Sequence, residues 1–345
     1  MQFIKVLTLL SLMVLEGLGI PVWAKQESLL RYEYTQIHMG VQARIVLYAP
    51  NQEIAENATL AAFHRFAQLE DILSDYRPTS ELMRLCKKPT GASTPISPEL
   101  FLVLEKAQEV AARSKGAFDV TVSPLVRLWR QARKTGLLPS PVAIAEAKRR
   151  VGWKYLKLDR VHQTAQLLKP SMLLDLGGIA KGYACDEAIA LLKQKGVSRA
   201  LVEAGGDIVV SEPPPDQRGW RIEVEHPDPK SNFRLLTVSN CGVSTSGDTA
   251  QFVEFQGKRY SHIVDPKTGY GLTTHIAVTV VAPKGILSDA LSTTLSVAGA
   301  KRGKQIAKTY PGVIVSIRKV TELQPDKSDS NEEDLLRDFS GFLPL

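Results

Sequence analysis

Apolar positions over Val41 to Tyr48, alternating with polar ones up to Ile45, predict a strand, and just past it the period lengthens. From Glu53 to Leu73 the residues Ile54, Leu60, Phe63, Phe66, Leu69 and Leu73 fall at helical spacing. Asp75-Tyr76-Arg77-Pro78 stops that helix, because proline pushes the residue before it out of the helical region. Ser97 is an N-cap with Pro98 in the first turn, opening a helix to Lys115 that Gly116 terminates. Ser140-Pro141 and Gly152 bracket a shorter helix in the same way. Tyr155 to Lys169 reads as a hairpin with a polar tip, and the apolar run Ser171 to Leu174 as a buried strand. Helical spacing returns over Ala184 to Lys195.

Beyond that point strands dominate: Ala200 to Glu203, Ile208 to Val210, Trp220 to Glu225, Leu235 to Val238 and His275 to Val281. Pro213-Pro214-Pro215 can only be loop. Ser288 is the predicted cap of a helix from Asp289 to about Val297, and Val313 to Ile317 is a last strand. Helices gather early and strands late, so the class is α+β rather than a doubly wound parallel sheet. The expected architecture is a single compact unit of mixed, mainly antiparallel sheets with packed helices.

The two ends stand outside this pattern. Lys5 precedes an apolar stretch, Val6 to Leu15, too short to span a bilayer, and Val22-Trp23-Ala24 offers a cleavage site. Residues 1–24 are therefore read as a signal peptide and 25–345 as the functional domain. The expected location is exported and periplasmic, with an uncleaved membrane-associated anchor as the alternative. No later segment is long and apolar enough to cross a membrane. Near the other end, residues 325–336 are acidic and polar and read as a mobile segment.

Charge narrows the partners. The net charge of +7 over 345 residues is modest, and its lysines and arginines are scattered, which argues against a nucleic-acid surface. Lys148-Arg149-Arg150 reads as a solvated helix end. The three cysteines, Cys86, Cys185 and Cys241, have no metal-knuckle spacing, and sequence does not decide between free thiols and one disulfide.

Candidate chemistry is concentrated in four places. The first is Asp175 to Ala184 (DLGGIAKGYA), where an acid, paired glycines, a lysine and a helix start occur together. Glycines let a backbone approach a ligand, and a helix start offers free N–H groups to phosphate. Lys181 adds a mobile charge, while Asp175 either holds a sugar hydroxyl or orders the loop. The plain alternative is a tight turn with a solvated lysine; the spacing fits neither a Rossmann fingerprint nor a P-loop. The second is Gly116 to Pro124, an acid and hydroxyls on a β-like run. The third is Tyr260 to Gly269, where His262 lies on a strand ahead of a proline turn, either structural or an acid–base group. The fourth is Asp289 to Thr293, a carboxylate and a hydroxyl four apart on one helix face. These are hard oxygen donors suited to part of a magnesium shell, or Asp289 is an ordinary first-turn dipole partner.

Eight segments in one order, beginning with Met39-Gly40 and Leu73 to Leu82 and ending with Ser288 to Leu295, resemble the FAD:protein FMN transferase family, often called ApbE. Between them come Gly116 to Pro124, Asp175 to Asp186, Glu203 to Asp207, Ser244 to Asp248 and Ser261 to Gly269. The resemblance implies an enzyme that splits FAD at its pyrophosphate, attaches FMN through a phosphodiester to a threonine of a flavoprotein and releases AMP. It implies Mg2+, an FAD site in a cleft between two sub-lobes, and acceptor subunits of membrane redox complexes as partners. It places Met39, Tyr76, Ala117, Phe118, Asp119, Asp175, Lys181 and Ile263 against FAD. It places Asp289, Thr293 and the Gly178 carbonyl on the metal, with Ser292 assisting, and gives catalytic roles to His262 and Asp289.

Two departures stand out. Val41 occupies a position where the family commonly has threonine, and the family's common lipoprotein cysteine is missing. Two other readings use the same site: a Mg2+-dependent FAD pyrophosphatase with water as nucleophile, and a non-enzymatic FAD carrier. A pure carrier has no use for a metal-ligating pair.

Overall fold

The computed structural model describes residues 28–224, 234–247, 252–274 and 276–319. The expected signal peptide over 1–24 and the acidic segment 325–336 lie outside them, as do Asp248 and His275. The chain forms β1 (Leu30–His38), β2 (Val41–Ala49), α1 (Gln52–Leu73), α2 (Glu81–Cys86), β3 (Thr94–Pro95), α3 (Pro98–Arg113), α4 (Ser123–Thr135) and α5 (Pro141–Arg149). There follow β4 (Leu156–Asp159), β5 (Thr164–Leu167), α6 (Ala180–Gln194), β6 (Arg199–Ala204), β7 (Asp207–Val210), β8 (Trp220–Val224) and β9 (Arg234–Val238). The last elements are β10 (Cys241–Ser246), β11 (Phe252–Phe255), β12 (Lys258–Ser261), β13 (Ile276–Ala282), α7 (Gly285–Ala307) and β14 (Ile314–Lys319).

Seven strands make the central sheet in the order β1-β2-β6-β7-β10-β13-β14, antiparallel at every junction. The fold is α+β, as the segregation of helices and strands predicts. One face of the sheet packs against α1, α6 and α7 in the main core, which includes Ile45, Phe66, Leu104, Leu174, Val202 and Leu291. The other face packs the β8–β9 hairpin through Trp220, Ile222 and Leu236. A third cluster joins α4, α5 and the β11–β12 hairpin around Trp129, whose ring N–H donates to the Gly269 carbonyl at 2.9 Å.

The caps follow the sequence chemistry. The side chains of Asn51, Ser97 and Ser140 accept from backbone N–H groups three residues on, and Pro98 and Pro141 occupy the first turn. The three cysteines are free thiols.

Four local expectations are corrected. Ser171 to Leu174 is irregular rather than a strand; Met172 and Leu174 are buried in the core without a neighbouring strand to pair with. The helix expected from Ala184 starts at Ala180, so Lys181 and Gly182 belong to its first turn. The β-like run after Gly116 is a 3-10 turn leading into α4, because the Asp119 carboxylate accepts from the Thr121 N–H at 2.8 Å and the Thr121 hydroxyl at 2.6 Å. Ser288 is not a cap. α7 starts at Gly285, and Ser288 lies inside it, donating to the Gly285 carbonyl at 3.0 Å. The expected end near Val297 does match a break, since Gly299 leaves the helical region at φ 71°.

The start of α7 is held instead by Asp186, whose carboxylate accepts from the N–H groups of Gly285 (2.8 Å) and Ile286 (2.9 Å). Asp186→Ala leaves both donors buried and unpaired, and is expected to lower stability by about 2 kcal/mol in a urea titration.

Candidate active site

A cleft of about 1050 Å³ opens where the three apolar clusters meet, lined by Leu176 from the first, Ile222 and Val243 from the second and Val264 from the third. Met39, Tyr76, Ala117, Phe118, Asp119, Asp175, Gly178, Lys181, His262, Ile263, Asp289 and Thr293 all line it. Residues more than 250 positions apart thus line one cleft. Ser292 does not join them. Its hydroxyl lies 2.7 Å from that of Ser246 and donates to the Asp289 carbonyl at 2.9 Å, so it braces α7 against β10.

The glycine bend is ordered from within. Asp175 accepts from the Gly177 N–H at 2.8 Å through one oxygen and from Arg130 at 2.8 Å through the other. Of its two expected roles the structure shows loop ordering. Lys181 is not a mobile charge: its ammonium sits 2.8 Å from the Asp207 carboxylate, donates to the Gly177 carbonyl at 2.9 Å and lies 3.8 Å from Asp289. Burial opposes its charge, but Asp207 and Asp289 outweigh that and hold the ammonium well above the usual lysine range. The start of α6 is also not an open anion site, since the Gly182 N–H donates to Asp289 at 3.0 Å. The helix N-terminus therefore orients a protein carboxylate, for the reason it favours any anion.

Asp289 is 3 % exposed. Burial raises its carboxyl strongly, and the Asp207 charge adds to this against Lys181 and the α6 amides. Such a close approach of α6, α7 and β10 requires glycine: a Cβ at Gly182 would stand 2.1 Å from the Gly285 carbonyl oxygen, and one at Gly242 would stand 2.6 Å from the Gly285 Cα. On α7 Thr293 lies one turn beyond Asp289, and a Cβ at Gly178 would fall 2.8 Å from its hydroxyl, which sets the glycine bend against that face. Val41 packs over the Gly205-Gly206 turn, where a Cβ at Gly205 would meet its Cγ1 at 2.9 Å.

The donors here are one carboxylate, one hydroxyl and a neighbouring backbone bend, and the described residues hold no group of three or more His, Cys, Asp or Glu able to bind a metal. That set does not suit zinc. It suits Mg2+, which takes one or two carboxylates and completes its shell with water and substrate phosphate.

Asp119 is largely committed to structure, since its second oxygen accepts from the Trp153 N–H at 2.9 Å. His262 falls one residue beyond β12 rather than on it, in a loop tethered at its far end by the Trp129–Gly269 bond. Asp75, Arg130 and Asp207 are among the further polar residues that line the cleft and that the sequence does not mark as site residues. Asp75 and Asp207 fall inside recognised segments, but Arg130 lies in none, and its partners are 55 and 45 residues away.

A profile of the ApbE family matches residues 39–317. The chain belongs to the ApbE family. The FAD:protein FMN transferase of Salmonella typhimurium is 32% identical over 73% of this chain and 74% of its own, and that of Haemophilus influenzae 34% over 70% and 73%. Among solved structures, the flavinyl transferase ApbE of Pseudomonas stutzeri in its apo form superposes with a TM-score of 0.75 at 30% identity, covering 84% of this chain and 90% of its own. The flavin transferase ApbE of Vibrio cholerae gives 0.77 at 28% identity, covering 84% and 93%. The residues the profile matches, 39–317, include every residue that lines the cleft. Among the described residues no helix is long and apolar enough to cross a membrane.

Proposed function

We propose that this chain is a Mg2+-dependent FAD:protein FMN transferase that cleaves FAD, attaches FMN to a threonine of an acceptor flavoprotein and releases AMP. The observation that carries the reading is the meeting of Asp289, Thr293 and the Gly177-Gly178 bend at one wall of a cleft whose volume matches the upper range of ligand sites. Asp289, Thr293 and the Gly178 carbonyl hold the cation, which when bound withdraws charge from the pyrophosphate. Lys181, fixed between Asp207 and Asp289, supports the carboxylate and keeps positive charge at the phosphate end. Phosphoryl transfer depends mainly on such positioning and charge neutralisation. In the step itself the threonine oxygen bonds to the FMN phosphorus, the anhydride bond to the AMP oxygen breaks, and the hydroxyl proton passes to His262. The acceptor is a subunit of a membrane redox complex, reached in the periplasm after export.

Incubation of the protein with FAD, Mg2+ and an acceptor flavoprotein, read by intact mass, tests this. Covalent FMN on the acceptor supports transfer; free FMN and AMP without acceptor labelling identify a pyrophosphatase; intact FAD identifies a carrier. His262→Ala is expected to lower kcat about a hundredfold while FAD affinity changes less than threefold, as loss of a general base requires. An unchanged transfer rate removes His262 from the mechanism.

A further inference from the structure

α4 faces two ways. Leu125, Trp129 and Ala132 enter the third apolar cluster, Val126 packs against that cluster and also borders the cleft, and Arg130 and Arg133 line the cleft. Arg130 is the better connected of the two arginines. Its guanidinium donates to Asp75 at 2.5 Å and to Asp175 at 2.8 Å, joining the loop after α1 to the start of the glycine bend. Both carboxylates are at most 10 % exposed in their side chains. The same guanidinium lies over the Tyr76 ring, 4.1 Å from its centroid. Tyr76 is nonetheless 73 % exposed. One ring face is covered by a cation fixed by two acids, and the ring still opens to the cleft.

We infer that Arg130 is a positioning residue for flavin binding, holding the Tyr76 ring flat from behind so that its open face receives the isoalloxazine. This rests on the reading of the cleft as an FAD site. A solvent-exposed tyrosine on a loop samples several rotamers, and a ligand that stacks on it must first select one. A guanidinium locked by two carboxylates makes that selection before the ligand arrives, which is how preorganisation raises affinity. The planar group is essential. Lysine keeps the charge that Asp75 and Asp175 require but has no flat face to lay against a ring.

The test is the dissociation constant for FAD, measured by calorimetry without Mg2+ so that no turnover intervenes, in wild type, Arg130→Lys, Tyr76→Ala and the double variant. Arg130→Lys is expected to weaken FAD binding five- to tenfold and to shrink the stacking-induced shift of the visible flavin band. In the Tyr76→Ala background the same substitution is expected to change affinity less than twofold, because the ring through which Arg130 acts is gone. The pair Arg130→Met with Asp75→Asn removes the guanidinium together with one of its carboxylates, and is expected to weaken binding at least as much. Wild-type affinity in Arg130→Lys, or an equal loss with and without the Tyr76 ring, overturns the inference and leaves the FAD reading standing. Failure of the wild-type protein to bind FAD, with Mg2+ as well as without it, overturns both.

Discussion

Asp289→Ala is expected to lower FMN transfer about a thousandfold, equivalent to ~4 kcal/mol of barrier, in acceptor protein co-expressed with the variant and weighed intact. Asp289 is the only carboxylate that the described residues present on the α7 wall of the cleft. No other side chain on that wall can take its place toward a dication, since Thr293 offers a neutral hydroxyl and Gly178 only a carbonyl. Removing it also leaves Lys181 with Asp207 alone, so the charge balance at the phosphate end shifts by one unit. The fold should tolerate the change. The lost bond to the Gly182 N–H is partly offset by relief of a buried charge, and thermal melting is expected to move by only a few degrees. Added Mg2+ is expected to restore transfer to a chelator-treated wild type but not to the variant. Labelling of the acceptor by Asp289→Ala at more than a tenth of the normal rate would count against the assigned site.

Gly182→Ala carries the largest expected stability effect. In an isolated helix this exchange is favourable by about 1 kcal/mol. Here the new methyl would meet the Gly285 carbonyl oxygen at 2.1 Å, its carbon at 2.5 Å and the Asp289 Cβ at 2.8 Å. The first two atoms are backbone, and Gly285 has little room to retreat, because its Cα and N already lie against β10, where a Cβ on Gly242 would stand 2.6 Å from each. The helices must therefore separate, which exposes core and pulls Asp289 away from the α6 N-terminus. We expect a loss of about 3 kcal/mol, a melting point lower by ~6–10 °C, and transfer reduced in parallel. A melting point equal to wild type would mean that α6 and α7 do not cross as closely as described.

What could be read ahead of the structure was local or compositional. The helix over Gln52–Leu73, the strand over Val41–Ala49 and the proline-led starts of α3 and α5 each depend on groups within a few residues of one another. The failures share one cause. Ser171 to Leu174 is apolar enough for a strand but has no ladder partner. Ser288 has a capping hydroxyl, but Asp186, 99 residues before Gly285, already occupies the α7 start. Lys181 looks mobile until Asp207 comes within 2.8 Å.

By itself the sequence determined the α+β class, the segregation of helices early and strands late, and the motif set that marks the ApbE family, because periodicity, caps and short motifs act over a few residues. Only the tertiary structure decided that Asp289 is oriented by the first turn of α6, that Ser292 turns toward β10, and that Arg130 ties Asp75, Asp175 and Tyr76 into one wall. Those partners are separated by 45 to 107 residues or held across a sheet seam, and a pairing of that range is set by packing, which no local pattern encodes.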